Sequence, residues 1–137
     1  MSATTPATSA GAELSAAVYE TAVEREVAAW KASGDEARAG AVAAAWTEDG
    51  SYLDPLMDVR GHEGVAAGLG AAAEQFPGCE FRLRGTVDGH HGIARFGWDL
   101  VVVADGSSPA AGFDVITLAD DGRITSVLGF LDRVPGA

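Results

Sequence analysis

Basic residues are scarce in this chain, with 9 lysines and arginines against 20 aspartates and glutamates and a formal charge of −11. No stretch gathers Lys and Arg into a patch that could neutralise phosphates, which speaks against nucleic acid and membrane as partners. Cysteine is almost absent. Cys79 alone cannot close an internal disulfide, and no Cys-His pair or metal-ligand spacing surrounds it, so it reads as a reduced structural thiol. No uninterrupted apolar run reaches the roughly 18 residues that a bilayer span requires. The Ser/Thr/Ala-rich start lacks both the basic opening and the apolar core of a secretory signal. Residues 1–12 are therefore expected to be a disordered tail on a cytoplasmic protein.

What is present is ordinary globular composition, 47% hydrophobic over 137 residues, enough for one domain at 13–134 with a core and room for a pocket. Tyr19, Val23, Val27 and Trp30 recur at helical spacing and predict a helix over Glu13 to Ala32. Ser33-Gly34-Asp35-Glu36 breaks it and opens a short second helix, with Ala39, Val42, Ala43 and Trp46 along one side. Ser51-Tyr52-Leu53, stopped by Asp54-Pro55, predicts a short edge strand. A third helix is expected from Gly61 to Gln75, with Val65, Leu69, Ala72 and Phe76 buried. Four β-rich runs follow, at about 80–88, 93–104, 111–119 and 124–132, split by short turns that require antiparallel neighbours. The order favours an α+β fold, a curved antiparallel sheet covered on one face by three helices.

Asp114 is the least expected residue, because alternation places it with Gly112, Ile116 and Leu118, and a buried carboxylate must be paired, hydrogen-bonded or protonated. An ion pair with Arg84 or Arg95, or exposure at a dimer rim, would equally account for it. Asp54 is held by Pro55 where it could face a pocket mouth, although Asp-Pro is also a common turn former. His62 opens the third helix, and His91 falls at a hairpin where it would share a face with Phe81 and Val87 if the strand ran regularly. Phe96 and Trp98 share a strand face that could be core or cavity wall, and a buried Trp98 indole N–H needs an acceptor. Tyr52 and Phe130 complete the expected ligand contacts. No His-x-x-x-His or related spacing unites the histidines and acids, so neither a metal nor a cofactor is expected.

The run from Trp46 through Asp54-Pro55 to Arg60-Gly61-His62-Glu63-Gly64, with Gly112-Phe113-Asp114 and Asp121-Gly122-Arg123-Ile124, resembles the SnoaL-like and ketosteroid-isomerase-like family of the nuclear transport factor two-like superfamily. The resemblance runs from the first helix to Leu131. It implies a cone-shaped α+β barrel around a pocket, with Asp54 where the isomerases keep their general base. Asp114 falls on the aspartate that those enzymes keep protonated as a hydrogen-bond donor. It also implies a departure, since the isomerases' helix-one tyrosine is replaced by Val27.

The expected function is that of a small-molecule acid/base enzyme, of isomerase, cyclase or hydratase type, acting on an apolar or polycyclic carbonyl compound. The alternatives are a non-catalytic binding protein for a hydrophobic metabolite and a pocketless dimer serving as a scaffold. A homodimer is expected in any case, through an outer sheet face read as Phe113, Val115, Val127 and Leu131.

Overall fold

The computed structural model describes residues 15–134, so the expected tail and the first residues assigned to helix one lie outside the described residues. Three helices form, α1 (Ala16–Lys31), α2 (Asp35–Ala45) and α3 (Gly61–Gln75), with six strands, β1 (Trp46–Asp54), β2 (Met57–Arg60), β3 (Cys79–His90), β4 (Ile93–Val102), β5 (Ala110–Leu118) and β6 (Ile124–Arg133). None of these helices is long and apolar enough to cross a membrane.

Local chemistry accounts for the helical half. Gly34, at φ +92°, takes a backbone turn closed to most side chains, and Asp35 and Glu36 then sit at the positive end of α2. Arg38 is buried and donates to the carbonyls of Ala29 and Ala32, groups that the end of α1 leaves without helical partners. In α2 it is Val42 and Ala45 that go inward, while Ala39 and Ala43 stay exposed. Trp46, expected to end that helix, instead opens β1 as a fully buried side chain.

The strands lie in the order β2-β1-β6-β5-β4-β3 in one curved sheet, with the helices over its concave face. The sheet does not close, because β2 and β3 remain separate edges. The meander is antiparallel as expected, but the expected edge strand at Ser51 to Leu53 is not at an edge. It is a nine-residue strand between β2 and β6, antiparallel to the first and parallel to the second. Asp54-Pro55 ends β1 with a two-residue turn into β2, and the parallel partner lies some seventy residues on, where no local signal reaches.

Register fixes which side chains go inward. Phe96 pairs with Asp114 and Trp98 with Gly112 across β4 and β5, and Asp114 pairs with Gly129 and Ile116 with Val127 across β5 and β6, all on the concave face. The outer face therefore corrects the sequence reading. A register shift between Thr117 and Leu118 turns Val127 and Leu131 inward, and the exposed apolar residues beside Phe113 are Leu128 and Phe130.

Candidate active site

Under the helices, the concave face encloses a hollow of about 160 Å³ lined almost wholly by apolar side chains. Trp30 from α1, Phe81 from β3 and Trp98 from β4 stand as a stack, with ring centroids 5.1 Å apart at each step. Tyr52 of β1 meets Trp30 edge-on at 6.0 Å, and Asp54, two residues further along the same strand face, is the acidic residue on the wall.

Asp54 is half-buried, and its Oδ1 accepts the backbone N–H groups of Leu56 and Met57 at 2.8 and 2.9 Å. It thus forms the turn that Asp-Pro suggested and also faces the hollow. Asp114 is fully buried, and its Oδ1 accepts the indole N–H of Trp98 at 3.1 Å. It has no arginine partner, since Arg84 bonds Asp99 and Asp132 while Arg95 faces Asp88.

Two glycines make this arrangement possible. A Cβ at Gly129 would lie 3.0 Å from Asp114 Oδ1 and 3.1 Å from the Cβ of Asp54, so the two acids flank one bare backbone position. A Cβ at Gly112 would fall 2.7 Å from the Trp98 ring, so only glycine leaves the indole room to reach Asp114.

The residue that sequence reasoning missed is Glu26. It is fully buried in α1 and faces Asp114. Neither of its oxygens, nor Oδ2 of Asp114, has a donor as long as both groups are carboxylates, which can only accept. One proton between them turns the contact into a hydrogen bond. Burial pushes the Glu26 carboxyl well above its ordinary 4.5, and the charge of Asp114 and the bond between them push it further. Burial also raises Asp114 from 3.8, but the hydrogen bonds from Glu26 and Trp98 pull it back while the Asp54 charge pushes it up. Both shifts favour a proton held between the two carboxyls, the stronger push being on Glu26. Tyr52 is raised as well, chiefly by burial and then by the charges of Asp114, Glu26 and Asp54, so it stays a phenol.

A signal for Glu26 was present. Tyr19, Ala22, Val23, Glu26 and Ala29 are the buried stripe of α1, and a carboxylate in the middle of such a stripe is as unexpected as Asp114. The stripe lies slightly around the helix from the expected one, leaving Val27 half-buried at its margin.

The other expected contacts disperse. Phe96 is core beneath Asp114 and does not line the hollow. His62 places Nε2 2.8 Å from the Trp46 carbonyl, a structural bond. His91 is exposed in the β3–β4 turn at φ +48°, because β3 bulges between Arg84 and Asp88 and ends before reaching it. Phe130 is 52% exposed on the convex face, one residue out of phase with the concave one. Tyr19 is tied to that β3–β4 hairpin, accepting the Gly92 N–H. Among the described residues no three His, Cys, Asp or Glu side chains have metal-binding geometry.

Comparison with known proteins places this geometry. The sequence profile of the SnoaL-like domain matches residues 23–127. A candidate isomerase of the SnoaL-like family from Agrobacterium tumefaciens is 43% identical, with a TM-score of 0.80 over 85% of this chain and 98% of its own. Two more distant structures share the fold. One is a candidate SnoaL-like polyketide cyclase from Jannaschia, with TM-score 0.65 and 17% identity over 84% of this chain and 88% of its own. The other is a protein with a cystatin-like fold from Methylobium petroleophilum, with TM-score 0.69 and 18% identity over 91% of this chain and 82% of its own. Among curated proteins nothing matches.

Proposed function

The chain belongs to the SnoaL-like family, and from that premise we propose that it is an acid/base enzyme of isomerase, cyclase or hydratase type acting on a small apolar carbonyl compound held in the hollow. The observation that carries the reading is that Asp54 and Asp114 flank Gly129 from two strands, with Asp54 on the wall of an apolar hollow. A carboxylate that faces such a site has little water to compete with a substrate proton. Asp54 takes the proton from the carbon beside the carbonyl, and the bonding electrons move to the carbonyl oxygen. In this reading the Tyr52 hydroxyl, on the same wall, donates to that oxygen, while Glu26 and Asp114 lie off the wall and act through the Trp98 indole that Asp114 holds. Returning the proton to another carbon isomerises the compound, whereas attack of the enolate on a second carbonyl closes a ring.

Asp54→Asn and Asp114→Ala are each expected to slow solvent-deuterium uptake by a bound carbonyl compound at least about a hundredfold while leaving the circular dichroism unchanged. Uptake at the wild-type rate in both variants contradicts the reading. One observation favours the binding-protein alternative, that Asp54 Oδ1 is already committed to its turn; saturable binding with no deuterium uptake would decide for it.

The convex face supports a second proposal, a homodimer. Phe113 and Phe130 stack there with centroids 5.0 Å apart, beside exposed Leu53 and Leu128. Light scattering at micromolar concentration is expected to give the mass of two chains, and the mass of one contradicts it.

A further inference from the structure

The hollow has a size, a shape and a polar edge, and together they narrow the ligand. A cavity of about 150 Å³ holds one benzene-sized ring, and this one is about 160 Å³. Fused rings do not fit inside it.

The walls select a flat ring. Trp30 and Phe81 are parallel to within 1°, Phe81 and Trp98 to within 26°, and Tyr52 stands across the end of the stack at 70° to Trp30. These faces and edges suit the offset and edge-to-face contacts of an aromatic or unsaturated six-membered ring. The rim includes Leu56, 60% exposed, and Val134, 36% exposed, so a short substituent can pass outward while the ring stays enclosed.

Trp30 turns its indole N–H away from the hollow, toward the Tyr52 oxygen. The Tyr52 phenol and the Asp54 carboxyl are polar groups of the wall, one to donate to a carbonyl oxygen and the other to receive a proton.

We propose that the ligand is a single-ring ketone or aldehyde, its ring in the Trp30–Phe81–Trp98 hollow and its carbonyl oxygen at the Tyr52 hydroxyl. The carbonyl rests on the acid/base reading, in which the proton on the carbon beside it passes to the Asp54 carboxylate and the electron pair to the carbonyl oxygen, whereas the ring count rests on the hollow alone.

Acetophenone, 2-acetonaphthone and 2-acetylphenanthrene differ only in ring count and serve as the probes, with binding to the full chain followed by ligand-detected NMR. Acetophenone is expected to bind saturably with its ring protons shifted by the aromatic walls, 2-acetonaphthone at least about tenfold more weakly, and the three-ring ketone not saturably. General hydrophobicity alone gives the reverse order. Leu131→Ala, which removes part of the wall, is expected to bring the two-ring ketone within about twofold of acetophenone, and Tyr52→Phe to weaken acetophenone about tenfold. Equal or tighter binding of the larger ketones by the wild type, or no binding of acetophenone, overturns the assignment. Deuterium uptake at the acetophenone methyl, measured in the same samples, separates the two claims. Binding in the expected order without uptake removes the acid/base reading and leaves the size assignment standing, whereas uptake from all three ketones does the opposite.

Discussion

Residues 113 and 114 are neighbours in the chain, as are 129 and 130, yet one of each pair faces the concave side of the sheet and the other the convex side. Inside, Asp114 is fully buried beside the bare backbone of Gly129; outside, Phe113 and Phe130 stack and remain partly exposed. The usual assignment, apolar inward and acid outward, is reversed over these four residues. A fold gains nothing in stability from burying two carboxylic acids and leaving two phenylalanines wet, and local rules broken together in this way mark a working site. The acids on the surface show the contrast from the other side. The Asp121 carboxyl is pulled down by hydrogen bonds from Arg123, whereas burial pushes Glu26 and Asp114 up.

Substitutions on the two faces break that comparison in graded ways. Gly112→Ala drives a methyl into the Phe130 carbonyl and the Trp98 ring, and is expected to cost about 3 kcal/mol in urea unfolding. Gly129→Ala meets Asp114 Oδ1 at 3.0 Å, which can swing away, and the Asp54 Cβ at 3.1 Å, which moves only with β1, so about 1 to 2 kcal/mol is expected, with turnover reduced about tenfold as Asp54 and Asp114 are pushed apart.

Glu26→Gln sharpens the inner half of the comparison through pH. Folding raises the Glu26 carboxyl, so the native state holds a proton that the unfolded chain releases near pH 4.5. The Glu26 contribution to stability is therefore fully present at and below that pH and declines as pH rises from there toward the raised folded value. Raised Asp114 acts in the same direction. Glutamine keeps the donor and cannot titrate, so melting temperatures of Glu26→Gln between pH 5 and 8 are expected to lose most of the decline; an unaltered slope counts against the shared proton. Phe130→Ser on the outer face is expected to change unfolding by no more than about 0.5 kcal/mol and turnover by less than about twofold.

Much of the fold was legible because its signals are local. The α3 boundaries at Gly61 and Gln75 and the antiparallel meander follow from helical spacing, glycine and short turns. The parallel pairing of β1 with β6 was not legible, since it joins Tyr52 to Val127 and leaves no trace in either segment. The site divides in the same way. Asp114 stands out as an acid among apolar neighbours and Asp54 by the proline that follows it, but their meeting depends on Gly129, whose role is to be empty. Phe130 and His91 were misplaced by one residue of strand phase, which a bulge or a turn shifts without notice. Glu26 is legible in the stripe of α1, although the apolar residues alone are enough to define the helix.

The shared proton is the feature on which the account of the inner face rests, and carbon-13 NMR of the Glu26 and Asp114 carboxyls across pH 3 to 9 reads it directly. A Glu26 carboxyl still protonated at pH 7 is the predicted result. A Glu26 signal that titrates near its ordinary 4.5 would contradict it.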